Sequence, residues 1–125
     1  MSVSYTHLPK APVEAALQQG KDVILEIEVN GALQIKKKCP DCATVFVLPP
    51  SMEILERRLR RRQTEDEETL LKRLAKAKEE IALAEEYDYI IINVALEDAV
   101  DEIHCILSAE KSKTIRMSKI IDEVF

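Results

Sequence analysis

Glycine is almost absent from this chain, which has only Gly20 and Gly31. Two glycines so far apart cannot form a G-x-x-x-x-G-K-[ST] loop, so the usual backbone cradle for nucleotide phosphates is not encoded in these residues. Long apolar runs are missing too. None approaches the ~20 residues that span a bilayer, so no membrane segment is expected. Cysteine is sparse: Cys39, Cys42 and Cys105 make an odd count with no secretory segment, which suggests reduced thiols in the cytoplasm. Cys39 and Cys42 form a C-x-x-C with no second pair to complete a zinc site, and the histidines are His7 and His104. The expectation is two incidental thiols near a loop and no metal site. Internal repeats, low-complexity runs and interdomain linkers are also lacking. Basic residues number 18 against 23 acidic, a net charge of −5, which argues against a broad nucleic-acid surface but leaves room for a local arginine cluster.

What is present reads as a soluble α/β unit. Hydrophobic residues make up 46% and charged residues 33% of the 125, enough apolar material for one domain or part of one. Pro12 and Gly20 bracket a short helix over residues 12–19. Residues 22–27, D-V-I-L-E-I, are apolar enough for a strand buried on both faces. A helical stretch then opens at Gly31 and is stopped by Pro40. A second strand covers 43–48 and ends at Pro49-Pro50. Ser51 is a good N-cap for the next helix, and Asp66 for the one after it. A third strand covers 89–93, and an amphipathic helix runs from Leu96 to about Lys113. The tail from Thr114 to Phe125 extends that helix or forms one more. Strands alternating with helices imply a parallel sheet of about three strands, with ligands at the strands' C-terminal ends.

Three features at or near those ends carry chemistry. Leu25 to Ala32 reads L-E-I-E-V-N-G-A, so Glu26 and Glu28 close an otherwise apolar strand. Acids there need a cation or donor if buried, and are ordinary if the strand end reaches solvent. Arginine is concentrated in Arg57-Arg58-Leu59-Arg60-Arg61-Arg62, with Arg73 beyond. Arg58 and Arg62, four apart, share a helix face. Arginine grips phosphate bidentately, but such a run is equally a solvated face balanced by Glu53, Glu56 and the acids at 65–68. Asn93 closes the third strand, where a carboxamide either reads a base edge or simply forms a turn.

Taken in order, these segments resemble the guanylate kinases. The resemblance rests on Pro9-Lys10, Val13-Glu14-Ala15-Ala16-Leu17, Gly20 with Asp22-Val23, Gly31-Ala32-Leu33-Gln34, and Val47-Leu48-Pro49-Pro50-Ser51. It continues through Leu55, Arg58-Leu59, Arg62, Glu67-Glu68, Arg73-Leu74, Tyr87-Asp88-Tyr89 and Asn93. It covers nearly everything from Pro9 to about Glu110. The resemblance implies part of a P-loop nucleoside-monophosphate kinase fold. It implies transfer of a phosphoryl group from ATP to GMP, with Mg²⁺ as the cofactor accompanying ATP. It assigns Arg58, Arg62 and Arg73 to the transferring phosphoryl group and the ATP phosphates, and Glu26 to the acidic strand end near magnesium. It sets Glu28 beside the guanine and Asn93 beside the adenine. The family usually has Asp where Glu26 and Glu28 stand, N-D-D where this chain has Asn93-Val94-Ala95, and glycine where it has Arg61.

Residues 3–8, V-S-Y-T-H-L, resemble the read-through of a sequencing adapter; the competing reading is the guanylate kinases' V-S-[YH]-T-T-R stretch, whose serine and arginine hold the GMP phosphate, with His7-Leu8 in place of its T-R. Residues 1–8 are expected to be a non-native scar, with 9–125 the C-terminal part of a guanylate kinase domain. On that view the 125 residues alone are inactive. A rival reading is a non-catalytic guanylate-kinase-like module that binds peptides; the retained Arg58, Arg62 and Arg73 speak against it.

Overall fold

The computed structural model describes residues 10–62 and 66–125; the expected scar at residues 1–8 lies outside them. Helix α1 spans Lys10–Gln18 and is followed by Gly20 at φ +79°, a left-handed value that glycine adopts without the Cβ clash. Helix α2 spans Val29–Lys38 and ends two residues before Pro40. Strand β1 is Val45–Leu48. Helix α3, Met52–Arg61, is capped as its sequence predicts: the Ser51 hydroxyl accepts from the Ile54 amide at 3.1 Å. Asp66 does the same for α4, Glu67–Ala82, accepting from the Thr69 amide at 2.9 Å. A single 3-10 turn, Ala84–Glu86, leads into strand β2, Tyr89–Ile92. Helix α5 is Leu96–Lys111, and the tail forms its own helix α6, Thr114–Val124.

The sheet has two parallel strands, not the expected three, with Val45 opposite Tyr89 and Leu48 opposite Ile92. Residues 22–27 form no strand. An apolar run becomes a strand only where a second backbone completes its ladder, and β1 and β2 pair with each other alone among the described residues. Ile24 consequently stays 67% exposed. The segment is tied instead by its polar end, where Lys111 of α5 meets Asp22 at 2.6 Å.

Two side-chain clusters fix the parallel pair. At its N-terminal end one Asp88 oxygen accepts from the Thr44 amide at 2.9 Å, from the Thr44 hydroxyl at 3.0 Å and from Lys36 of α2 at 2.9 Å. The Asp88 amide returns a bond to the Thr44 hydroxyl at 3.0 Å. Burial by itself pushes the Asp88 carboxyl up, but the Lys36 and Thr44 donors outweigh it and hold the group below its ordinary value. Beside the clamp, Phe46 and Tyr87 pack edge to face with ring centres 5.0 Å apart.

The second cluster binds the terminal helices. Tyr89 and Ile91 point to one face of the pair, where the Tyr89 hydroxyl donates to Glu110 of α5 and Ile91 is only 2% exposed. Glu110 also pairs with Lys113 at 2.9 Å and with Arg116 of α6 at 3.1 Å. Arg116 donates as well to the Glu110 and Asp41 carbonyls. The Tyr89 hydroxyl, Lys113 and Arg116 together hold Glu110 down from its ordinary 4.5 to about 2, against the upward push of burial. Core residues are otherwise few: Val29, Gly31, Ala32, Thr44, Leu70, Ala84 and Ala99 complete the buried set among the described residues.

Two outcomes follow from these clusters. Asp88→Ala leaves buried Thr44 without its acceptor and removes the partner of Lys36; the expected loss is about 2–3 kcal/mol by urea unfolding, with Asp88→Asn milder because its amide oxygen still accepts. Glu110 carries a depressed carboxyl, so its contribution is complete above about pH 4.5 and is lost as the pH falls through about 2. The difference in melting temperature between the parent chain and Glu110→Gln should be widest above about pH 5 and close towards pH 2. A difference independent of pH would show that Glu110 does not act through its charge.

Candidate functional site

The C-terminal ends of β1 and β2 lie side by side because the ladder continues one bond beyond them: the Asn93 amide donates to the Leu48 carbonyl at 2.7 Å. β1 then stops at Pro49-Pro50, which supply no backbone donor for a further ladder bond. The chain turns into α3, whose inward face carries Leu55, Arg58, Leu59 and Arg62. These residues, with Leu48, Pro49 and Asn93, line an open cleft of about 210 Å³. Its walls are largely aliphatic and its polar groups are two guanidiniums and one carboxamide. A cleft of this size, below the ~300–1,000 Å³ of pockets that enclose whole drug-sized ligands, suits phosphate groups or a single ring rather than an entire dinucleotide.

The arginine run divides by environment. Arg58 is half-buried and spans from α3 to the end of β2, donating to the Asn93 carbonyl at 3.0 Å and the Val94 carbonyl at 3.2 Å. Two of its five N–H donors are thereby engaged, and the guanidinium plane is fixed at the cleft. Arg62, the C-cap of α3, lies one turn on and also lines the cleft; no carboxylate among the described residues pairs with it. Arg60 faces the other way. It bonds Glu56 at 2.9 Å and both oxygens of Glu67 at 2.8 Å, joining α3 to α4 and holding the Glu67 carboxyl below its ordinary range. One helix therefore presents two arginines to the cleft and pairs a third with acids on its outer surface.

The remaining expected site residues lie elsewhere. Arg73 is exposed on α4 and does not line the cleft. Glu26 and Glu28 are exposed and are not at a strand end, because no strand forms there. Glu28 instead occupies the N-cap position of α2, without a side-chain cap bond. The structure thus brings together Arg58, Arg62 and Asn93, and does not bring Arg73, Glu26 or Glu28 to them. Sequence reasoning did not anticipate that Arg58 also braces the β2 terminus. The signal available was only its four-residue spacing from Arg62. The Lys36–Asp88–Thr44 clamp was missed as well, although Asp88 stands in the quoted Tyr87-Asp88-Tyr89 stretch.

Known proteins share both the sequence and the fold. The guanylate kinase family model matches residues 4–110. The chain is 50% identical over 115 residues to a guanylate kinase of Carboxydothermus hydrogenoformans, covering 92% of this chain and 56% of that protein. It is 46% identical over 114 residues to one from Thermus thermophilus, covering 91% of this chain and 52% of that protein. The crystal structure of guanylate kinase from Anaplasma phagocytophilum superposes with a TM-score of 0.76 at 31% identity, over 94% of this chain and 57% of that one. The chain spans about half the length of the curated relatives it matches.

The two cleft arginines should separate in a stability measurement. Arg58→Ala removes two charge-assisted bonds to carbonyls and should cost about 1–2 kcal/mol in urea unfolding. Arg62→Ala should leave stability within about 0.5 kcal/mol of the parent. Equal losses would show that Arg58 does not brace the strand end.

Proposed function

The chain belongs to the guanylate kinase family, and we propose that it contributes the arginine-lined part of a site that transfers a phosphoryl group from ATP to GMP. The observation that carries the proposal is the convergence of Arg58, Arg62 and Asn93 on one cleft at the C-terminal ends of two parallel strands. Parallel sheets bind ligands at that end.

In the reaction an oxygen of the GMP phosphate attacks the γ-phosphorus of ATP. The bond from that phosphorus to the bridging oxygen breaks, and ADP and GDP are the products. The transition state spreads negative charge over the transferring group, and guanidiniums that meet that charge lower the barrier. Arg58 is held by the Asn93 and Val94 carbonyls, so its remaining donors are pre-oriented and little reorganisation is needed. Arg62 supplies a second guanidinium one turn away. Arg73 is proposed to join them from α4 once nucleotide is bound, as the lid of the family implies. Asn93 reads the edge of the adenine. Glu28 accepts from the guanine N1–H and its exocyclic amine.

Mg²⁺ neutralises charge on the ATP phosphates when bound. Among the described residues no group of three His, Cys, Asp or Glu side chains forms a cage. Glu26 is proposed with Glu28 on the GMP side of the site, near the magnesium and the phosphates, as the family resemblance implies. No helix among the described residues is long and apolar enough to cross a membrane, and a cytoplasmic location is proposed with the activity.

These 125 residues include no G-x-x-x-x-G-K-[ST] loop, so alone they are expected to give no turnover with ATP, GMP and Mg²⁺ in a coupled ADP assay. A guanylate kinase carrying this segment within a full-length chain should phosphorylate GMP in strong preference to AMP, because a site that bonds a substrate group rejects analogues lacking it. In that enzyme Arg62→Ala should lower kcat by about 10²-fold or more while changing GMP affinity little. Turnover by the 125 residues near that of an intact enzyme, comparable rates for the two nucleotides, or an unchanged kcat would each overturn the assignment it tests.

A further inference from the structure

The C-x-x-C stretch has no part in the proposed phosphoryl transfer, yet the fold organises it closely. Cys39 is the C-cap of α2, and the Cys42 amide donates to the Cys39 carbonyl at 3.0 Å. That bond closes a four-residue turn, with Pro40 at the second position, where its fixed φ is favourable. Such a turn brings its first and last Cα atoms within about 7 Å, the span over which a disulfide forms. Cys39 is exposed and Cys42 half-buried; both are free thiols.

The turn is also braced from two other elements. Lys36 donates to the Pro40 carbonyl at 2.9 Å and to the Cys42 carbonyl at 2.6 Å, and Arg116 of α6 donates to the Asp41 carbonyl. All four turn carbonyls are therefore engaged, and most of the ordering that ring closure requires is present before any bond forms. Among the described residues no third metal ligand joins the pair, so two-electron thiol chemistry fits the site better than zinc.

We propose that Cys39 and Cys42 are a reversible dithiol–disulfide pair that exchanges with low-molecular-weight disulfides. The Cys39 thiolate attacks one sulfur of the small disulfide; a mixed disulfide forms and one small thiol leaves with a proton from solvent. The Cys42 thiol releases its proton, and its thiolate attacks the Cys39 sulfur. The mixed bond breaks, the ring closes, and the second small thiol departs. Two protein thiols are oxidised and one small disulfide is reduced to two thiols.

The order of events follows from exposure, since Cys39 can be reached and Cys42 is sheltered. The surroundings also favour the oxidised form. Catalytic dithiols stabilise a thiolate with helix N-termini or nearby cations, which favours their reduced state. Here Cys39 sits at a helix C-terminus, not at an N-terminus. Burial foremost, with Cys39 and Asp88, pushes the Cys42 thiol up, and Lys36 does not reverse that; the other cation at the turn, Arg116, is engaged on the Asp41 carbonyl. The ring-closing step should accordingly quicken as the pH rises.

The test equilibrates the full chain with mixtures of reduced and oxidised glutathione, traps free thiols by alkylation and maps them by mass spectrometry. In excess oxidised glutathione the peptide carrying Cys39 and Cys42 should lose the mass of two hydrogens and carry no glutathione, exposed Cys105 taking up at most a glutathione of its own, and reduction should restore all the thiols. Cys42→Ser should accumulate glutathione on Cys39, whereas Cys39→Ser should leave Cys42 largely unmodified. Alkylation of both thiols after equilibration, or glutathione on Cys42 in Cys39→Ser as readily as on Cys39 in Cys42→Ser, would overturn the proposal.

Discussion

One oxygen of Asp88 accepts three hydrogen bonds that join the start of β2 to the start of β1 and both to α2. A parallel pair of four-residue strands has few ladder bonds with which to set its own register. A slip by one residue would turn the buried Ile91 outward and bring the half-exposed Ile90 and Ile92 against α5. The reciprocal bonds between Asp88 and Thr44 admit one alignment, so the carboxylate sets the register at the end where the strands begin. Everything at the other end inherits that alignment. Asn93 meets Leu48 because four residues earlier Tyr89 meets Thr44, and Arg58 reaches the Asn93 and Val94 carbonyls because those residues leave the sheet at that point.

The same logic explains why the pair is charged at both ends and apolar between. Backbone groups past the end of a short ladder require partners if they are not to lie unsatisfied. At the N-terminal end a carboxylate and a lysine supply them; at the C-terminal end a guanidinium does. The guanidinium of Arg58 lines the cleft while it bonds the Asn93 and Val94 carbonyls. Under the proposed function that one side chain would carry a structural and a chemical role together, so Arg62 is the better choice for isolating catalysis.

Local signals were legible in the sequence and non-local ones were not. Ser51 and Asp66 announced their helices because capping depends on a side chain and an amide three residues away. Gly20 and Pro40 marked helix ends for similarly local reasons. The four-residue spacing put Arg58 and Arg62 on one helix face, but only the resemblance to guanylate kinases set Asn93 with them. Residues 22–27 misled because an apolar run records burial preference but not whether a neighbouring strand exists to complete its ladder. Glu26 and Glu28 were displaced with it. The Asp88 clamp joins residues 44 and 52 positions apart, and nothing in the composition of either neighbourhood pairs them. Glu110 read as one more polar residue near the end of an amphipathic helix; its burial depends on Tyr89 and Arg116 arriving from two other elements.

The separation of β1 from β2 has a kinetic side. Their first contact closes a loop of 44 residues, and the entropy lost in that closure is about 3 kcal/mol before any ladder bond repays it. Helices α3 and α4 lie within the loop and draw on local contacts, so they can form on the microsecond scale of helix growth while the strands are still apart. The capping bonds of Ser51 and Asp66 therefore act early, shortening the effective chain that must be closed. The Asp88 clamp can form only once that loop has closed, as the latch on the sheet.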